Sequence, residues 1–404
     1  MSSNSELSGF AARLRGSILA SEWAARTSPN SPLPASEKNF NALALQIFAL
    51  QFQHNAAYRR LCEARGTTPA NVAHWAEIPA APTSAFKELD LSCLPVAERT
   101  AVFHSSGTTG QKPSRHHHSA ASLGLYEASL LHWFKAHFQL PVADCQSRET
   151  QPARESAVAR SCCQLAILTP PPAQAPNSSL VHMFETIRRE GGSENSAFFG
   201  KASDDGTWTI DAEAVLGRLR AASHAGQPLV LLGTAFSFVH LLDHLAEQDL
   251  CCELPPGSYA LETGGYKGRS RRLPKPALHA LISQRLGMPP HQIVCEYGMS
   301  ELSSQAYDTT LAPSIIPHHA PHTMLHAPRP FRFPPWARVQ IVSPESGCEV
   351  AEGETGLIRV FDLANVYSVM AIQTEDLGIR HCDGFDLVGR AAVAEPRGCS
   401  LLAV

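Results

Sequence analysis

Positive charge, lysine, long apolar runs and paired-cysteine motifs are all scarce in this sequence. Its 33 Lys and Arg stand against 37 Asp and Glu, a formal net charge of −4. That argues against a nucleic-acid or basic membrane-surface protein, both of which need clustered positive charge. No apolar run approaches the roughly 18–20 residues of a spanning helix, so no membrane role is expected. The opening residues, MSSNSELSGFAARLRG, are polar and without a secretory-type apolar stretch, which predicts a cytoplasmic address. The 11 cysteines contain no C-x-x-C spacing, and two pairs are adjacent, Cys162–Cys163 and Cys251–Cys252. A chain of this length needs no disulfide staples, so most of them read as small buried hydrophobes. Only 7 of the basic residues are Lys, and none follows Lys275.

What is present is a large stock of core residues. Hydrophobic residues make up 44% and charged ones 17% of 404 residues, enough for two or three domains' worth of ordered mass at roughly 100–200 residues each. Residues 1–37 read as a tail and linker. FNALALQIFALQFQHNAAYRRLCE (40–63) has the apolar spacing of one long amphipathic helix. Strands and helices then alternate: ERTAVFH, a helix over 119–138, QLAILT, SLVHMFETIRRE, QPLVLLG, AFSFVHLLDHLAEQ, SYALET, PKPALHALISQRLG and QIVCEYG. Such alternation predicts an α/β fold with a mainly parallel sheet over 38–336. Residues 141–160 read as a surface loop and 312–336 as irregular. From Ala337 short strands with turn signals predict a β-rich subdomain over 337–390, and 391–404 form a tail.

The strongest local signal is F-H-S-S-G-T-T-G-Q-K-P-S-R, residues 103–115. Gly107 and Gly110 let backbone approach an anion, and Ser105, Ser106, Thr108 and Thr109 add hydroxyl donors. Lys112 and Arg115 add charge. A preceding strand and a following helix supply the context. The run matches neither the P-loop G-x-x-x-x-G-K-[ST] nor the hydrolase elbow G-x-S-x-G. His116–His118 read as a polar, exposed helix start able to help hold anions when protonated. Phe236, Phe238 and His240 could line an acyl tunnel, and His318, His319, His322 and His326 show no metal-ligand spacing.

The loop resembles the S-G-T-T-G-x-P-K signature of adenylate-forming ligases, with Lys112–Pro113 in inverted order. Three further segments follow in that superfamily's order. Glu262-Thr263-Gly264-Gly265 resembles its Gly-Gly turn, Tyr297-Gly298-Met299-Ser300-Glu301 its Y-G-x-T-E motif, and T-E-D-L-G with D-G-F-D-L-V-G-R (374–390) its T-G-D and G-R pair. Within the superfamily the chain resembles the acyl-protein synthetase (LuxE) family over residues 38–402. The shared features are the opening helix, the E-Y-G-M-S-E-L form of the central motif and the R-G-C-S ending. That resemblance implies a superfamily N-terminal domain with most of the C-terminal domain absent.

It also implies that a carboxylic acid, a fatty acid in that family, is activated with ATP and Mg²⁺ to acyl-AMP. The acyl group is then held on a cysteine near the C-terminus and passed to an acyl-reductase partner. By resemblance Glu301 ligates Mg²⁺, Ser300 donates to the α-phosphate and Tyr297 stacks on adenine. Asp376 binds the ribose hydroxyls, and Arg390 reaches ribose or phosphate. Cys399, beside Arg397 and Gly398, is the acyl acceptor, with Cys382 as a rival that a predicted strand would bury. Full-length superfamily members bring a lysine from the C-terminal domain to the attacking carboxylate. Here Lys112, Lys267, Arg269, a C-terminal arginine or a partner would have to replace it. Coenzyme A or an amine as acceptor stays open, as does a nucleotide-binding subunit without turnover.

Overall fold

The computed structural model describes residues 4–20, 23, 34–105, 112–138, 164–204, 206–264, 271–308, 329–382 and 384–391. It begins with α1 (Asn4–Leu19), α2 (Pro34–His54) and α3 (Ala56–Ala64). The single long helix read from the sequence is thus two. Asn55 takes an extended backbone between them, and its side chain accepts the Tyr58 N–H, capping α3. A short Asn side chain that competes for backbone donors ends one helix and starts the next.

Next come β1 (Ala81–Pro82), α4 (Ala85–Glu88), β2 (Ala101–His104), β3 (Arg115–His118) and α5 (Ala120–Phe138). The alternating segment follows: β4 (Gln164–Ile167), α6 (Ser179–Gly191), β5 (Ala197–Phe198), β6 (Gly200–Ala202), β7 (Trp208–Ile210) and α7 (Ala212–Ala225). It continues through β8 (Leu229–Thr234), α8 (Ala235–Glu247), β9 (Tyr259–Thr263), α9 (Lys275–Leu286) and β10 (Ile293–Tyr297). Helix starts carry the expected caps, Ser178, Asp211 and Thr234 each accepting a first-turn N–H. Gly287 ends α9 at φ +67, a left-handed conformation that a side chain would strain.

All six residues of β8 are buried, as a parallel strand covered on both faces requires. Its alternation sorts the two faces: Leu229 and Leu231 join Leu219, Phe238 and Ile282 of α7, α8 and α9. Val230 and Leu232 join Leu130, Phe134 and Phe184 of α5 and α6. Each such side chain contributes roughly 1.5–3 kcal/mol relative to exposure.

The remaining strands are β11 (Ala306–Asp308), β12 (Phe331–Arg332), β13 (Ala337–Val342), β14 (Thr355–Asp362), β15 (Ala371–His381) and β16 (Gly384–Arg390). One 12-stranded sheet runs β13-β14-β15-β16-β12-β11-β10-β9-β8-β4-β5, with β1 beside β15. Strands β10, β9, β8, β4 and β5 pair in parallel, and β10 through β13 pair antiparallel. The fold is therefore mixed α/β, a helix-covered parallel block continued by a β-rich part. β12 pairs with both β11 and β16, so residues on either side of 337 share one sheet. Among the described residues no helix is long and apolar enough to cross a membrane.

Candidate active site

The carboxyl ends of adjacent parallel strands open onto a crevice where α/β folds bind ligands. Here that crevice is a cavity of about 470 Å³. Thr234, Thr263 and Glu296 to Gly298, from β8, β9 and β10, form its floor. The start of α6 and the β6–β7 hairpin form one wall, and the β15–β16 hairpin forms another. Of the residues singled out from the sequence, Ser105, Gly264, Tyr297, Gly298, Ser300, Glu301, Asp376 and Arg390 line it together. Ser106, Gly107, Thr108, Thr109, Gly110, Gly265, Lys267, Arg269, Cys399 and the histidines of 318–326 lie outside the described residues, as does the 141–160 loop.

The ends of the Gly/Ser/Thr loop are held by hydrogen bonds. Its flanks are the antiparallel pair β2–β3, so a strand follows the loop and not directly a helix. Ser105 Oγ accepts the Ser114 N–H at 3.0 Å, and Ser114 Oγ lies 3.3 Å from Ser300 Oγ. His116 Nδ1 bonds the Ser300 carbonyl at 2.8 Å. This ties the loop to the Tyr297–Glu301 segment across 184 positions. The histidine run is accordingly not an exposed helix start. It pairs with AVFH as a strand, with His116 and His118 buried. Burial pushes the His116 imidazole down to about 4 and His118 in the same direction, so neither offers a cation at neutral pH.

Tyr297 projects from the end of β10 against Phe331, Phe333 and Phe385, edge-on to each. Its hydroxyl donates to Asp376 Oδ2 at 2.9 Å. The Asp376 turn is fixed by its own neighbour: the Asp376 N–H donates to Thr374 Oγ1, whose hydroxyl donates to the Ile358 carbonyl. Asp376 and Arg390 face each other in the β15–β16 register. Glu375, where the superfamily has Gly, accepts a bond from Arg390 Nη2. Arg390 is buried, lines the cavity, and its Nη1 has no partner among the described residues. A buried guanidinium nitrogen left unpaired is costly, and an anionic ligand would satisfy it.

Glu301 is buried, and Ser300 Oγ donates to its Oε2 at 3.0 Å. From beneath, Asn365 Nδ2 donates to the Glu301 carbonyl at 2.9 Å. Asp362 accepts from the Ser303 N–H and the Ser304 hydroxyl, and Trp336 Nε1 donates to Ser129 Oγ, which bonds Ser304. The segment after β10 thus rests on a buried polar network that holds its register.

Other sequence-singled residues fall elsewhere. Lys112 is half exposed, pairs with Glu88 at 3.1 Å and does not line the cavity. Phe238 packs in the core, and neither it, Phe236 nor His240 lines the cavity. Cys382 is exposed and not packed, since it follows the last residue of β15 at a hairpin tip. The sequence reading missed the lining residues Tyr126 of α5, Thr234, Trp208 and Gln305, and held Thr263 and Glu296 only as members of the E-T-G-G and E-Y-G-M-S-E-L motifs, without a role.

No family model and no curated protein matches the chain. Solved structures do. A 2-hydroxyisobutyryl-CoA ligase in the postadenylation state with 2-HIB-AMP superposes with a TM-score of 0.57 at 14% identity, over 89% of this chain and 69% of that one. The same ligase with 2-HIB-AMP and CoA in the thioesterification state gives 0.56 at 15% identity, over the same shares. Its open conformation with both ligands gives 0.55 at 14%, over 86% and 66%. At these identities the likeness is one of fold: the chain has the architecture of the part of an adenylate-forming ligase that these shares cover.

Proposed function

We propose that the chain activates a carboxylic acid with ATP, releasing pyrophosphate and forming an acyl adenylate, and transfers the acyl group to a thiol. The observation that carries this is the convergence of Ser105, Gly264, Tyr297–Glu301, Asp376 and Arg390, up to 285 positions apart in sequence, on one cavity at the parallel strand ends. The fold shared with a ligase seen with an acyl-AMP supports the same reading.

The chemistry joins a carboxylate oxygen to the α-phosphorus as the bond to pyrophosphate breaks. Both reactants are anions, so donors and cations must offset their repulsion. The cavity suits this. Arg390 Nη1 would donate to a phosphate or ribose oxygen, Asp376 would accept ribose hydroxyls, and the Tyr297 ring would border the base. The described residues contain no cluster of three or more His, Cys, Asp or Glu placed to hold a metal ion. Glu301 alone fits Mg²⁺, which takes one or two carboxylates plus phosphate oxygens, and bound there the ion would neutralise phosphate charge. Ser300 holds the Glu301 carboxylate toward the cavity. Cys399, in R-G-C-S, is the proposed acceptor thiol; attack of its thiolate on the adenylate expels AMP. An acyl-reductase partner would take the group onward.

ATP–pyrophosphate exchange driven by a panel of carboxylic acids tests the reading. Exchange with at least one acid supports it, and no exchange with any acid sinks it. Cys399→Ser should keep exchange and lose a hydroxylamine-sensitive acyl adduct; an adduct that persists moves the acceptor elsewhere.

A further inference from the structure

Resting on that adenylating reading, we propose that the acid carries an amino group, received as an ammonium by the Glu296 carboxylate on the cavity floor. Register sets the geometry. Thr234 pairs with Thr263, and Thr263 with Glu296, across three adjacent strand ends. Paired positions share a face of the sheet, so the three side chains stand in a row, and all three line the cavity. Gln305 and Tyr126 complete this polar end.

Glu296 is 8% exposed. Its Oε1 lies so close to Gly298 that a Cβ there would stand 2.3 Å from it, which places the carboxyl against a cavity-lining residue that has no side chain. No hydrogen bond or ion pair from a described residue reaches this carboxyl. Of the nearby hydroxyls, Tyr126 donates to the Ser179 carbonyl and Thr234 to Ser237 Oγ, while that of Tyr307, paired with Glu296 across the sheet, bonds no described residue. A carboxyl set in a cavity wall that no described residue bonds is the feature of a group whose partner arrives with the ligand.

The surrounding charge selects a cation. The titratable groups around Glu296 are Tyr126 of α5 and Tyr307 of β11, which pairs with it, and Glu262 of β9, which acts through the sheet from the opposite face. Burial holds both tyrosines protonated. Burial pushes Glu262 up, but the His279 bond and charge outweigh it and hold it ionised. Among the described lining residues, Arg390 is the one permanent cation, against Asp204, Glu301, Glu375 and Asp376 besides Glu296. Burial first, then Glu262, pushes Glu296 itself up to about 8. It waits protonated at neutral pH and ionises when an ammonium arrives, releasing a proton. An unsubstituted alkyl chain would leave it facing methylenes.

The test is pyrophosphate exchange with alanine, β-alanine, 4-aminobutanoate and 6-aminohexanoate, each beside the unsubstituted and the hydroxyl-bearing acid of the same chain length. The expected result is an amino acid with kcat/KM at least 100-fold above both matched acids. Glu296→Gln, isosteric with the protonated carboxyl, should cut that ratio at least 30-fold through KM, and Glu296→Asp should recover part of it; a purely structural role would leave the ratio unmoved. Preference of the native protein for the unsubstituted or hydroxyl-bearing acid overturns the inference while leaving adenylation standing, as does an unchanged ratio in Glu296→Gln. Silence with every acid overturns adenylation itself, and this inference with it.

Discussion

The Tyr297 hydroxyl donates a hydrogen bond to Asp376 Oδ2 at 2.9 Å across 79 positions of chain, joining the end of a parallel strand to an antiparallel hairpin. The bond spans the cavity's floor and one wall, so two motifs from different parts of the sequence are held as one surface. Tyr297→Phe keeps the ring among its three phenylalanines and removes the hydroxyl that makes this bond. Hydrogen bonds to charged groups contribute about 1.5–3 kcal/mol. The KM for ATP in exchange should rise roughly 10-fold or more, with the melting temperature lowered by a few degrees. An unchanged KM would remove Asp376 from nucleotide binding.

Arg390 is tied to Glu375 by one terminal nitrogen, and the other has no partner among the described residues. Arg390→Lys keeps the charge and cannot serve both directions. ATP affinity, followed by equilibrium binding, should fall on the order of 10-fold. Glu375→Gly, which removes the carboxylate that Arg390 bonds, should weaken ATP less than Arg390→Lys does, because the guanidinium remains.

Removal of the Glu301 charge addresses the proposed magnesium role. Glu301→Gln retains the shape and the acceptor for Ser300 Oγ. Exchange should drop on the order of 100-fold, about 2.7 kcal/mol of barrier, and the Mg²⁺ concentration giving half-maximal rate should rise. Near-native exchange at ordinary Mg²⁺ would show that another group holds the ion.

Stability should fall in acid. Folded His116 stays neutral down to about pH 4, whereas an unfolded imidazole takes its proton near 6.5. The unfolded chain therefore binds the extra proton, and the stabilisation, complete above pH 6.5, is lost as pH drops toward 4, by about 3 kcal/mol for this one group. His118 and His137 shift the same way through burial, and Asp362, pushed up to about 6, works with the opposite sign. Melting temperature across this window should decline, and His116→Asn, which keeps a donor for the Ser300 carbonyl, should flatten the decline. A limb as steep as in the native protein would show that His116 titrates normally.

Local chemistry wrote much of this molecule into its sequence. The apolar run QPLVLLG, the caps Ser178 and Thr234, and the stop at Gly287 each act within a few residues, so the parallel block and its helices are legible from the chain alone. Motif spacing also singled out Ser105, Gly264, Tyr297, Ser300, Glu301, Asp376 and Arg390, which the structure brings onto one cavity. Tertiary structure decided the rest. Asn55 broke a helix that periodicity favoured. RHHH became a buried strand because AVFH was there to pair with it, and pairing overrides polarity when the backbone needs a partner. Glu296 gained its character from burial and from Glu262, and its place in a row with Thr234 and Thr263 from three strands ending in register. Neighbours far apart along the chain set a group's burial and field, and no reading of spacing along a single strand contains them.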